Sequence, residues 1–168
     1  SKKDEAENII SLFFKPADGS EFSFIAGQYV SVALPALGEA RSAKRPSISG
    51  RSKCYTISSS PSEQMICLTV KKQGEFSSAL IDSNVGDKLV FGGPYGKFYP
   101  EEDCEDIVFI AGGIGVTPFF SVIKDKINPR TYEVGEGVNS KAKPKLTLLY
   151  SNKTISGIAF FDELNKLK

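Results

Sequence analysis

The chain has 168 residues, with 21 Lys plus Arg against 20 Asp plus Glu and a formal net charge of +1. Its composition, 40% hydrophobic and 24% charged, is that of a globular chain long enough for one domain or two small ones. The near-neutral balance excludes a general polyanion binder, so nucleic acid is not an expected partner.

Histidine is absent. That removes Ser-His-Asp and Cys-His nucleophile systems, His-ligated zinc or haem, and any His proton shuttle. Cys54, Cys67 and Cys104 lie 13 and 37 residues apart, so neither a CxxC pair nor a plant-type iron–sulfur run exists. They read as reduced core thiols of a cytoplasmic protein. The charged start, Ser1 to Ile10, predicts no signal peptide. No apolar run reaches the roughly 18 residues of a membrane-spanning helix.

The first part of the chain reads as short strands. Gln28 to Leu34 alternates and stops at Pro35; Lys53–Ser58, Met65–Lys71 and Lys88–Phe91 follow. Turn signals separate them at Asp18-Gly19, Ser60-Pro61, Gly86-Asp87 and Gly92-Gly93-Pro94. This spacing predicts an antiparallel sandwich or barrel, interrupted by one helix from Ser77 to Asp82. Phe91, Tyr95, Phe98 and Tyr99 are expected to fill its core, the alternative being to flank an adenine ring. Pro100 to Asp106 carries five acids in seven residues and reads as a solvated linker.

The texture then changes. Ile107 to Ala111 is a continuous apolar run, which predicts a parallel strand buried on both faces. Gly112 to Pro118 follows, then an apolar helix pattern from Phe119 to Lys126. Beyond a polar stretch, Asn128 to Lys145, come a second buried strand, Leu146–Tyr150, and a helix from near Ile158 to Leu167. Strand–helix–strand–helix is the opening of a parallel α/β sheet. The boundary falls near Asp103: residues 1–103 are all-β and residues 104–168 are α/β.

Two stretches carry chemistry. A helix start presents unpaired N–H groups and a partial positive charge, and glycines let a phosphate approach them. Gly112, Gly113 and Gly115 meet that need. Thr117 suits an N-cap or a ligand contact, and Pro118 suits the first helical turn. The GxGxxG pattern is incomplete, because Pro118 replaces its third glycine, and no acid ends the second strand. A tight turn without ligand is the competing reading. Lys153, just beyond that strand, is either a 2′-phosphate contact or a solvated surface cation. In the second stretch, strand alternation places Lys53 and Tyr55 on one face and Cys54 and Thr56 on the other. Upstream lie Arg41, Lys44, Arg45 and Arg51 against one acid, Glu39. This basic run is either a solvated loop or a dock for an acidic partner.

Taken in order, Gly27-Gln28-Tyr29, Lys53-Cys-Tyr-Thr-Ile-Ser-Ser-Ser-Pro61, Gly74-Glu-Phe-Ser77, Gly92-Gly-Pro-Tyr-Gly96 and Ala111-Gly-Gly-Ile-Gly-Val-Thr-Pro118 resemble the ferredoxin–NADP reductase superfamily, which includes the flavohaemoglobin reductase modules. The resemblance spans nearly the whole chain. It implies an FAD-binding antiparallel β-barrel followed by a partial Rossmann-like NAD(P)-binding α/β domain. The family's Arg-x-Tyr-Ser/Thr flavin motif falls on Lys53, Tyr55 and Thr56. Tyr55 would stack on the isoalloxazine and Thr56 would lie near its reactive N5. Lys53 keeps the charge of the family arginine but loses its bidentate fork. Gly74 and Ser77 match the phosphate-holding Gly-x-x-Ser. Gly112, Gly113, Gly115, Thr117 and Pro118 match the nicotinamide dinucleotide motif.

The implied function is a flavin-dependent oxidoreductase, with hydride passing from NAD(P)H to FAD and electrons to an acceptor that is invisible in the sequence. Family members continue past the Tyr150 segment to a Cys-Gly-x-x-Pro motif. Against the family the chain therefore looks like a fragment. Two other readings stand beside this one: a flavin- or nucleotide-binding regulatory module without turnover, and a cofactor-free barrel that docks an acidic partner.

Overall fold

The computed structural model describes residues 1–34, 52–101, 104–128 and 144–167. The basic run from Arg41 to Arg51, Asp103 and most of the polar stretch after Asn128 lie outside the described residues. Two antiparallel sheets form the first half. One has the order β1 (Lys2–Ala6), β2 (Ile9–Phe14), β5 (Ile66–Lys71). The other has the order β4 (Ser52–Thr56), β3 (Tyr29–Ala33), β6 (Val90–Tyr95). A bridge between Ile57 and Leu68 closes the seam between them. Helix α1 (Glu75–Asp82) follows β5 and sends Phe76, Leu80 and Ile81 into the core.

That core is a single apolar cluster. Leu12, Val30, Val32, Ile57, Leu68, Val70 and Leu80 are all 2% exposed or less. Alternation explains it: Ile10, Leu12 and Phe14 of β2 and Ile66, Leu68 and Val70 of β5 share the inward face. The outward face of the same sheet is also buried at Ile9, Ser11, Cys67 and Thr69, and Ser11 and Thr69 are polar. Ser11 Oγ lies 2.7 Å from Thr69 Oγ1, which lies 2.8 Å from Ser58 Oγ. These hydroxyls satisfy one another where no water reaches, as buried polar groups must.

What covers that outer face is the second half. β7 (Asp106–Gly112) and β8 (Lys145–Ser151) pair in parallel, from Asp106 opposite Lys145 to Gly112 opposite Ser151. A 3₁₀ turn, Gly113–Val116, leads directly into α2 (Thr117–Ile127). A second 3₁₀ turn, Ile155–Gly157, precedes α3 (Phe161–Lys166). Two further clusters form here, and each takes in a residue of the first half. Ile9 joins Ala111, Val116, Phe120, Ala159 and Phe160; Ala26 joins Ile107, Phe109, Val122 and Ile123. Phe120 and Phe160 stack 3.9 Å apart, and Phe160 holds a left-handed backbone, φ 60°, to begin α3.

Several expectations change. β1 and β2 were not anticipated, although Ile9-Ile-Ser-Leu-Phe-Phe14 is a strand-like run. The helix expected from Ser77 starts at Glu75, and the strand expected over Lys88–Phe91 runs Val90–Tyr95. β7 is not buried on both faces: Val108 and Ile110 are 61% and 74% exposed. The described second-half helices pack only on the Ile107, Phe109 and Ala111 side. Of the four aromatics expected in the core, only Phe91 packs there, edge-on to Phe14 at 5.0 Å. Tyr95, at the end of β6, is exposed beside Tyr29, and Phe98 and Tyr99 are exposed because the chain leaves the sheet after β6. Cys67 is buried, but Cys54 is exposed on the outward face of β4 and Cys104 is half-buried. No helix among the described residues is long and apolar enough to cross a membrane.

Candidate functional site

β4 is the strand that presents the first set of predicted residues. It pairs antiparallel with β3, with Lys53 opposite Val32, Tyr55 opposite Val30, and Thr56 opposite Tyr29. Lys53 and Tyr55 therefore share the inward face, and both reach Phe76 at the start of α1. The Tyr55 and Phe76 rings stack at 6.3 Å and 23°, and Lys53 Nζ lies 5.9 Å from the Phe76 ring centre. Tyr55 remains partly exposed, and burial raises its phenol pKa, so the group stays neutral around pH 7. Thr56 belongs to the opposite face with Tyr29, whose ring lies 5.8 Å from that of Tyr95.

The α1 start stands beside Lys53. Gly74 takes a φ of +100°, which side-chain-bearing residues rarely adopt. Ser77 is buried and works within this turn: its Oγ accepts the Gln73 N–H at 2.7 Å and donates to the Gly74 carbonyl at 3.1 Å. The serine shapes the helix start, whose first N–H groups have no intrahelical partners. Phe76, which joins the cation to the aromatic ring, was not singled out in the sequence. Its only signal was its place between Gly74 and Ser77.

The second set lies at the carboxyl end of β7. Gly112 is still extended strand, φ −128°, and Gly113 turns to φ +50°. Thr117 is not an N-cap. It is the first residue of α2, and its hydroxyl donates to the Ile114 carbonyl at 3.2 Å, because the 3₁₀ turn already fills the cap position. Pro118 sits in the first turn, where its missing N–H costs nothing. At the neighbouring end of β8, the Tyr150 hydroxyl and Asn152 Nδ2 are buried, and the Asn152 side chain and the Ala159 backbone act on the Tyr150 hydroxyl, whose pKa burial nonetheless raises.

The glycines divide into two kinds. A Cβ on Gly27 would collide with the Phe98 carbonyl, so that glycine serves packing. A Cβ on Gly74, Gly112, Gly113 or Gly115 would meet no protein atom within 4 Å. Both turns thus lack a side chain, and any protein atom, where a Cβ would stand, which leaves room for a phosphate to approach the backbone. With Lys53 beside one turn and no protein atom where a Cβ would stand at the glycines of the other, the residues present fit a flavin and a dinucleotide. A cavity of about 510 Å³ lies elsewhere, lined by Leu12, Phe14, Phe22, Phe91 and Lys88 among others, and none of the predicted site residues lines it.

Comparison with known proteins places the two halves in families. Residues 1–99 match the family described as oxidoreductase FAD-binding domain, and residues 104–168 match the ferric reductase NAD binding domain. The chain belongs to the FAD-binding oxidoreductase family. Flavohemoprotein A of Dictyostelium discoideum is 30% identical over 182 aligned positions, covering 99% of this chain and 41% of its own length. Flavohemoprotein of Rhizobium meliloti is 34% identical over 155 positions, covering 84% of this chain and 36% of its own. The chain thus spans about two fifths of the length of these relatives. The FAD/NAD binding domain of nitric oxide dioxygenase from Vibrio cholerae superposes with a TM-score of 0.77 at 21% identity, over 99% of this chain and 66% of that one. That likeness establishes the shared fold, antiparallel barrel followed by parallel α/β unit.

Proposed function

We propose that this chain is the flavin-and-nicotinamide part of an NAD(P)H-dependent oxidoreductase. FAD lies against β4 and the α1 start, and the nicotinamide dinucleotide lies over the 112–118 turn. The unit holding FAD comprises residues 1–103, and the nucleotide unit begins at 104. The observation that carries this reading is the pair of glycine turns left open toward solvent, one of them flanked by a cation and two stacked rings.

Each residue then has a task. Lys53 offsets pyrophosphate charge as a point charge rather than a fork. The neutral Tyr55 phenol supplies an aromatic wall, and the Thr56 hydroxyl stands on the same strand as a hydrogen-bond donor. The start of α1 contributes unpaired N–H groups and its positive dipole end. Gly112, Gly113 and Gly115 let the dinucleotide phosphates reach the backbone, with Thr117 and Pro118 fixing the α2 start behind them. Bound together, the two cofactors supply hydride transfer, and the protein supplies position and electrostatics. This division of labour needs no histidine. The final electron acceptor is a separate redox group. Three free thiols accord with a reducing, cytoplasmic location.

The test is optical. Purified protein loaded with FAD should be yellow and should bleach anaerobically on addition of NADH or NADPH. A yellow protein that neither reductant bleaches is a binding module instead. A protein that takes up no FAD overturns the proposal.

A further inference from the structure

Helix α2 carries the glycine turn at one end and is fastened, partway along, to the segment that continues the flavin strand. Ser121 Oγ donates to the Ser59 carbonyl at 2.6 Å, and the two residues are 0% and 1% exposed. Ser59 lies three positions beyond Thr56, and its own hydroxyl accepts the Cys67 N–H at 3.0 Å, which ties it to β5. Nearer the surface, Lys124 Nζ donates to Glu63 Oε2 at 2.5 Å, and that carboxylate oxygen also accepts the Ser60 N–H. Ser121 and Lys124 are three apart, so one face of α2 meets one loop.

Beyond Thr117, whose hydroxyl bonds back to the Ile114 carbonyl, the serine stands alone among the apolar residues Phe120, Val122 and Ile123 on the buried side of its helix. A buried helical hydroxyl commonly bonds back into its own turn. This one reaches across to the other half. The apolar contacts of Ile9 and Ala26 hold the halves together but tolerate sliding. A short, buried hydrogen bond is directional and does not.

We propose that Ser121, acting through the Ser59 carbonyl, is a positioning residue that sets the spacing between the glycine turn and the flavin strand. The inference rests on the cofactor sites proposed above. Hydride transfer depends on a near-attack geometry, so a small displacement of α2 is felt in the rate.

Wild type, Ser121→Ala, Ser121→Thr and Lys124→Gln are loaded with FAD and mixed anaerobically with saturating NADH. Ser121→Ala should slow flavin reduction about tenfold, the cost of a sub-ångström misplacement. Its affinities for FAD and NADH should stay within about twofold, as expected when only the reacting geometry is lost. Ser121→Thr, which keeps the hydroxyl, should restore most of the rate, and Lys124→Gln should lower it about twofold. A readout free of cofactor accompanies these: amide hydrogen exchange over 112–118 should quicken in Ser121→Ala while 66–71 stays unchanged. Wild-type rate together with unchanged exchange in Ser121→Ala overturns the inference. If Ser121→Ala does not fold, Lys124→Gln decides, and no change in rate or exchange overturns the inference there too. Wild-type flavin that NADH fails to bleach counts against the proposed function, and the exchange result then decides the inference alone.

Discussion

Lys53 and Tyr55 converge on Phe76 from alternate positions of one strand. Their shared face was legible from the period of a strand alone. Phe76 was not, because its contact joins a strand to a helix in another part of the chain, and no local pattern reports such a meeting. Cys54 misled for a related reason. Apolar character suggested burial, but its register opposite Ser31 turns it outward. The glycine turn offers a clean test at this scale. Gly112 has ordinary extended torsions and open space at its missing Cβ, so folding does not require glycine there. Gly112→Val should leave the melting temperature within about 2 °C, since a β-branched residue suits a strand. It should weaken dinucleotide binding about tenfold or more by blocking phosphate approach. Titration with NADH checks both readings: unchanged affinity would make this a ligand-free turn.

Among the elements, β5 and β7 exchanged the roles that composition suggests. The apolar run of β7 has Val108 and Ile110 exposed, whereas β5, with Cys67 and Thr69 interleaved, is buried on both faces. Periodicity reads one face of a strand at a time, and which faces are covered is decided by packing between elements. The outer face of β5 can carry Thr69 only because Ser11 of β2 and Ser58 bond its hydroxyl. α3 is held at the same junction. Its Glu163 pairs with Lys3 of β1, and the Glu7 N–H donates to the Ser156 carbonyl at 2.8 Å nearby. Burial pushes the Glu163 pKa up, but the Lys3 hydrogen bond, a backbone hydrogen bond and the charges of Lys3 and Lys166 together outweigh it and hold the carboxyl below its ordinary value of 4.5. A carboxylate with a depressed folded pKa contributes stability above its unfolded value and loses it as pH falls through the folded one. Stability should therefore fall on acidification below pH 4.5, and Glu163→Gln should flatten that slope. The effect is small, about 0.5 kcal/mol, because the pair is partly solvated. Melting curves against pH check it, and an identical acid slope in the variant would remove the pair from the account.

At the scale of the whole molecule, the order of motifs announced a barrel followed by an α/β unit, and the structure has that order. What the sequence did not announce is how closely the two are joined. Ile9 and Ala26 enter cores built mainly from the second half, and Ser59 accepts a bond from α2. Long-range packing of this kind leaves no period in the chain. Its consequence is that the two open glycine turns belong to halves that share buried surface, so the proposed cofactor sites stand on one packed support. The most direct measurement is a crystal structure of this chain with FAD. The account predicts the isoalloxazine against Tyr55 and the pyrophosphate between Lys53 and the Gly74–Ser77 turn. FAD bound away from β4, with Tyr55 and Gly74 untouched, would contradict it.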